Sequence, residues 1–246
     1  MSLILGIYDP TQTKNFGPQI EQALAATFRH LTSDKDYLIY QQELVPGCLW
    51  IGYTLPNDMP TPDVLIHKDQ FFFVGELFDG IDIKDYLPAN PDALAQQITG
   101  SESEKWLKKL VGQFLIAWWD QSTRKLYLAN DALGHLETFI YGPDKDGRVV
   151  FATNLLALAL SGLFEPRPSL LDIQHLIITD QCPVDQTHIQ DVQVMPPGVI
   201  MDFTPDGQTS SKTYWKLNCA PHPLSNQDWE QIIETFLLAL HRQTDP

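Results

Sequence analysis

The chain has 246 residues, 43% of them hydrophobic, enough for a substantial core in one large domain or two modest ones. Lys and Arg total 16 against 31 Asp and Glu, a net charge of −15, and a surface of that sign repels nucleic-acid backbones and anionic lipid headgroups. No stretch approaches the ~18 consecutive apolar residues of a membrane span, and Cys48, Cys182 and Cys219 suggest neither a disulfide framework nor a zinc site, so a soluble protein of the reducing cytoplasm is expected.

Residues 2–8 are an apolar run closed by Asp9-Pro10 and predict a short buried strand at the N-terminus. Ile20, Leu24, Ala25 and Phe28 recur at helical spacing within a surface helix over 16–31. Two β-like runs, 37–40 and 48–51, flank Pro46-Gly47, and the proline-rich segment 57–62 cannot continue a ladder. Residues 71–77 form the next strong strand, turned by Asp79-Gly80. Residues 91–110 are helical, with Leu94, Ile98, Trp106, Leu107 and Leu110 as buried positions and Gly100 placed to split the helix in two.

The segment 110–154 reads as three apolar strands, 114–119, 125–129 and 148–152, joined by polar turns into an antiparallel sheet. The first is apolar at nearly every position, as a strand buried on both faces must be, which puts Trp118 and Trp119 into the core on opposite faces. Asp131 fits a turn residue that bonds the backbone rather than a catalytic acid. Helices over 155–163 and 169–178 follow, the second capped by Ser169 with Asp172 three residues on. Residues 192–202 predict a strand pair hinged at Pro196-Pro197-Gly198. Past a polar, proline-containing loop, residues 227–242 set Trp229, Ile232, Ile233, Phe236, Leu237 and Leu240 on one helical face that needs a cover. The histidines, among them His30, His67, His135 and His188, have no metal-ligand spacing.

Ser2 follows the initiator Met, whose removal would leave a hydroxyl beside an α-amine able to act as its general base. Six segments in order then carry a resemblance: Phe73-Val74-Gly75-Glu76-Leu77-Phe78-Asp79, Val111-Gly112-Gln113 with the strand that follows, Ala129-Asn130-Asp131-Ala132-Leu133-Gly134, Phe151-Ala152-Thr153-Asn154, residues 187–198 ending in Pro196-Pro197-Gly198, and Tyr214-Trp215. Together they resemble the N-terminal glutaminase domain of asparagine synthetases, a class II glutamine amidotransferase domain of the N-terminal-nucleophile (Ntn) hydrolase type. The resemblance implies an α+β fold, a four-layer αββα sandwich of two antiparallel sheets over residues 1–217. Residues 218–246 would be a linker and first helix leading towards an absent ATP-pyrophosphatase, or synthetase, domain.

The same resemblance implies four site positions, and each has lost its chemistry here. The nucleophile position is Ser2 where the family has Cys. The oxyanion pair keeps Gly75, but Val74 replaces the Asn that donates its side-chain amide. Val111 replaces the Asp that holds the substrate's ammonium group, and the Arg for its carboxylate is missing from the segment around Thr54. Valines at two positions suggest a pocket filled by apolar side chains. The expectation is a non-catalytic amidotransferase-like domain supporting an ATP-dependent amide-forming synthetase of the asparagine, β-lactam or lasso-peptide type. The alternatives are an active hydrolase using Ser2 on another substrate, or a stand-alone interaction module. No cofactor or metal is expected in this chain, ATP and Mg entering only with a downstream synthetase domain, since no Ser-Gly-Gly-x-Asp-Ser loop occurs. The expected partner is that domain, or another protein, docked through the 227–242 helix, with a homodimer as a further expectation.

Overall fold

β1 (Ile4–Tyr8) is buried at all five positions, because it lies inside a sheet that is covered on both faces. The computed structural model describes residues 3–12, 14–31, 37–56, 64–67, 70–79, 91–100, 102–180, 183, 185–217, 229, 231, 233 and 234. In the first sheet, β1 pairs antiparallel with β3 (Leu49–Pro56) on one side and β9 (Val149–Ala152) on the other. The order continues outward to β2 (Tyr37–Val45) beyond β3, and to β8 (Phe139–Tyr141) and β10 (Val192–Val194) beyond β9. The second sheet runs β12 (Thr209–Thr213), β11 (Val199–Phe203), β7 (Lys125–Asn130), β6 (Val111–Asp120), β5 (Phe71–Asp79) and β4 (Val64–His67), again antiparallel throughout.

Three apolar clusters define four layers. Between the sheets, Ile4, Tyr8, Ile51 and Phe151 meet Phe72, Leu115, Trp119 and Leu128. On the outer face of the first sheet, Leu5, Ile7 and Val150 receive Ile20 and Leu24 of α1 (Gly17–Leu31) and Ala157 of α4 (Leu155–Ala159). On the outer face of the second, Phe73, Phe114 and Ile116 receive Leu94 and Ile98 of α2 (Pro91–Thr99) and Leu107 of α3 (Ser103–Leu107). The fold is therefore the αββα sandwich of two antiparallel sheets, and the helix over 91–110 divides at Gly100 as expected. Trp118 and Trp119 enter different clusters on opposite faces of β6.

Other expectations change. The three strands of 110–154 do not share one sheet: β6 and β7 lie in the second, β9 in the first. Asp131 ends the β7 ladder and turns the chain away, so β9, buried at all four residues, finds a doubly covered place beside β1. Residues 192–202 are likewise not a strand pair, for β10 and β11 belong to opposite sheets and the prolines between them provide no amide donors for a hairpin. The buried face of α1 is Ile20, Ala23, Leu24, Thr27 and Phe28, with Ala25 turned partly outward. The 155–163 helix is shorter, α4 ending at Ala159. The short strands β4 and β8 and the wholly exposed β12 have no clear alternation to announce them.

The chain divides into two compact units, Met1–Lys216 and Leu217–Pro246. Trp229, Gln231, Ile233 and Glu234 are helical, and the remainder of the 227–242 helix lies outside the described residues. No helix among the described residues is long and apolar enough to cross a membrane.

Candidate functional site

Ser2 lies outside the described residues, but the strand end that follows it is held firmly. The Leu3 amide donates to Thr54 Oγ1 at 2.9 Å, and the Thr54 amide returns a bond to the Leu3 carbonyl at 3.0 Å. On the other flank the Ile4 amide donates to Thr153 Oγ1 at 3.0 Å, and the Thr153 amide donates to the Ile4 carbonyl at 3.1 Å. Both threonines are buried. Thr54 thus commits its hydroxyl to the backbone of the first strand, which accounts for its presence without any ligand. A cavity of about 600 Å3 reaches Thr153 from the side of α4, and neither Thr54, Val74, Gly75 nor Val111 lines it.

Val74 and Gly75 sit in mid-β5, where the register sets them opposite Leu115 and Phe114 of β6. Val74 is 3% exposed and packs into the cluster between the sheets. Gly75 adopts φ +143°, and a Cβ there would fall 2.0 Å from the Gln113 carbonyl oxygen and 2.6 Å from Phe114 Cα. The close approach of β6 requires glycine by itself, so Gly75 does not depend on an oxyanion role. Val111 is 51% exposed at the opening residue of β6, paired with Asp79. Four residues of strand, roughly 13 Å, separate it from Leu115, the partner of Val74. The two valines therefore do not fill one pocket: Val74 is core, and Val111 is surface.

Three of the sequence motifs do converge. Asn130 Nδ2 donates to the carbonyls of Pro196 (2.8 Å) and Met195 (3.4 Å), and its Oδ1 accepts the Val199 amide at 3.2 Å. Its own carbonyl accepts the Tyr214 hydroxyl at 2.6 Å. Asp131, fully buried, accepts the amides of Leu133, His135 and Leu136 at 3.0–3.1 Å, while its carbonyl accepts the Gly198 amide at 3.0 Å. Gly134 backs onto Pro197, and Gly198 onto the Trp215 carbonyl. The Asn-Asp turn, the Pro-Pro-Gly hinge and the Tyr-Trp pair form one hydrogen-bonded clip between the sheets, with Asp131 in the backbone-bonding role its turn position suggested. Nothing in the spacing singles out Asn130, since its partners lie 66 and 69 residues away.

A second buried polar group closes the far end of β1. Asp9 Oδ1 accepts the Thr11 amide and hydroxyl, and Arg148 Nε lies 4.0 Å from Asp9 Oδ2. Burial, with Asp9 nearby, pushes the Cys48 thiol up to about 12. Such a thiol packs as a small apolar group and is not a nucleophile.

Residues 94–215 match the model of a glutamine amidotransferase domain. Over that span, just under half of its length, the chain is similar to a glutamine amidotransferase domain. The matched span includes the whole Asn130–Asp131 clip and Val111, and begins after Thr54, Val74 and Gly75. No curated protein matches the chain. Among solved structures it is similar to glutamine phosphoribosylpyrophosphate amidotransferase from B. subtilis complexed with ADP and GMP, at 14% identity over 88% of this chain and 50% of that one, with a TM-score of 0.48. It is also similar to the allosteric regulatory enzyme of purine biosynthesis, at 13% identity over 88% and 49%, with a TM-score of 0.49. The chain spans about half the length of these structures.

Proposed function

We propose that this amidotransferase domain is of the class II, Ntn type, that it does not hydrolyse glutamine, and that it serves an asparagine synthetase-related, ATP-dependent amide-forming enzyme as a non-catalytic module. The observation that carries the reading is Val74, closed into the apolar core at the position where the resemblance requires a side-chain amide to meet the oxyanion. Loss of one such donor costs about a hundred- to a thousand-fold in rate. Val111 and Thr54 add to this, since an exposed aliphatic side chain and a hydroxyl committed to Leu3 hold neither end of a zwitterionic amino acid. What persists is the clip joining the sheets, which supports a role for the domain's shape rather than its chemistry.

A glutaminase assay tests this directly, with ammonia release from the purified chain expected at the buffer rate. Intact mass after incubation with 6-diazo-5-oxo-norleucine, a trap for amidotransferase nucleophiles, is expected to be unchanged. A stoichiometric adduct on Ser2 that disappears in Ser2→Ala would overturn the reading in favour of an active hydrolase. The synthetase link has its own test, since a Ser-Gly-Gly-x-Asp-Ser loop encoded downstream of Pro246 is what it requires.

A further inference from the structure

At the edge of the first sheet, beside β10, a cavity of about 710 Å3 opens between the loop of residues 185–193 and the first turn of α5 (Leu170–Thr179). Among the described residues its lining contains Asp172, Asp185 and Asp191 and no Lys, Arg or His. Asp185 and Asp191 are exposed. Asp172 is 8% exposed and is the buried residue of a helix whose Leu170, Leu171, Ile177 and Ile178 are 69–81% exposed.

The helix thus turns its charge inward and these four aliphatic side chains outward, the reverse of what burial energetics favour, while Ile173 and Leu176 are half-buried. Asp172 Oδ2 accepts the Ser169 hydroxyl, but the enclosed Oδ1 has no hydrogen-bond partner among the described residues. The other buried polar side chain of the lining, Thr187, supplies nothing, because its hydroxyl is taken up by the carbonyls of Ile189 and Val192 and the Ile189 amide. A buried carboxylate oxygen in a cavity wall whose described residues include no cation calls for a donor from outside the chain.

We propose that this cavity binds a small organic dication, one ammonium group paired with the Asp172 carboxylate in its wall and the second held at the rim by Asp185 and Asp191. The volume falls within the usual range for small-molecule sites, roughly 300–1,000 Å3. An extended diamine suits it better than a metal ion, because no group of three or more His, Cys, Asp or Glu among the described residues is arranged to hold one. The site shares no residue with Thr54, Val74, Gly75 or Val111, so it stands whether or not the domain hydrolyses glutamine.

Calorimetric titration of the whole chain with putrescine at low salt provides the test. Saturable one-to-one binding is expected, weakened about tenfold or more in Asp172→Asn, the scale of one lost charge-assisted bond. Asp191→Asn, an exposed loop substitution, is expected to weaken it several-fold and keeps the test decisive if the buried variant fails to fold. Absence of saturable binding, titration of Asp191→Asn indistinguishable from the native chain, or displacement by MgCl2 beyond that by NaCl at equal ionic strength would each overturn the proposal. The first of these outcomes would mean that Asp172 is satisfied by water alone.

Discussion

Gly75 and Val74 are neighbours on β5, and each corrects the other's reading. In the sequence Gly75 is the surviving half of an oxyanion pair; in the fold its backbone angle and the Gln113 carbonyl at 2.0 Å from a notional Cβ already exclude any other residue. Gly75→Ala is therefore expected to destabilise the domain by at least about 3 kcal/mol through displacement of β6, read as a lowered urea midpoint, whatever the catalytic state. Val74, by contrast, is read the same way in sequence and fold, because an aliphatic side chain without a donor has none in any fold. Cys48 is likewise decided by the fold, where burial, with Asp9 nearby, raises its pKa to about 12. Ellman's reagent at pH 8 is expected to leave Cys48 unmodified in the folded chain and to titrate it once urea is added.

At the scale of elements, β6 is the part that its own residues specify best. Six consecutive apolar side chains alternate between two cores, and the strand is central wherever its neighbours come from. Its continuation was harder to read. Residues 110–154 look like one three-stranded sheet until Asp131 gathers three following amides and diverts the chain, sending β9 to the other layer. The Asn130 side chain then ties the crossover of residues 195–199 to the end of β7. Asn130→Ala leaves the Val199 amide and the Pro196 carbonyl without this partner in or near the core, so a loss of about 2–4 kcal/mol is expected in chemical denaturation. Loss of much less than 1 kcal/mol would mean that the clip is incidental to the sandwich.

On the scale of the whole molecule, the sandwich encloses several weak acids in their neutral forms. Burial raises Tyr8, Cys48, Tyr53 and Tyr214 above their ordinary values, 9.0 for the thiol and 10.0 for the phenols. Below about pH 9 both folded and unfolded chains keep these protons, and the full stability is present. As pH rises past those ordinary values the unfolded chain ionises first and binds fewer protons, so stability falls with each increment. The thermal midpoint at pH 10.5 is expected to lie at least about 4 °C below that at pH 8; an unchanged midpoint would show that these groups are not held neutral by the fold.

Side-chain identity and local period are legible in the chain alone. That covers the acidic balance, the doubly apolar β6, the capped start of α5, the split at Gly100 and the absence of donor or charge at positions 74 and 111. Everything that depends on contacts across many residues is set by the fold. It assigned β9 and β10 to the first sheet and β11 to the second, it separated the two valines into core and surface, and it turned Asp172 inward on α5. The reason is that period and composition act within a turn or two of chain, whereas sheet membership and the burial of a charge are set by bonds such as Asn130 to Val199, 69 residues apart.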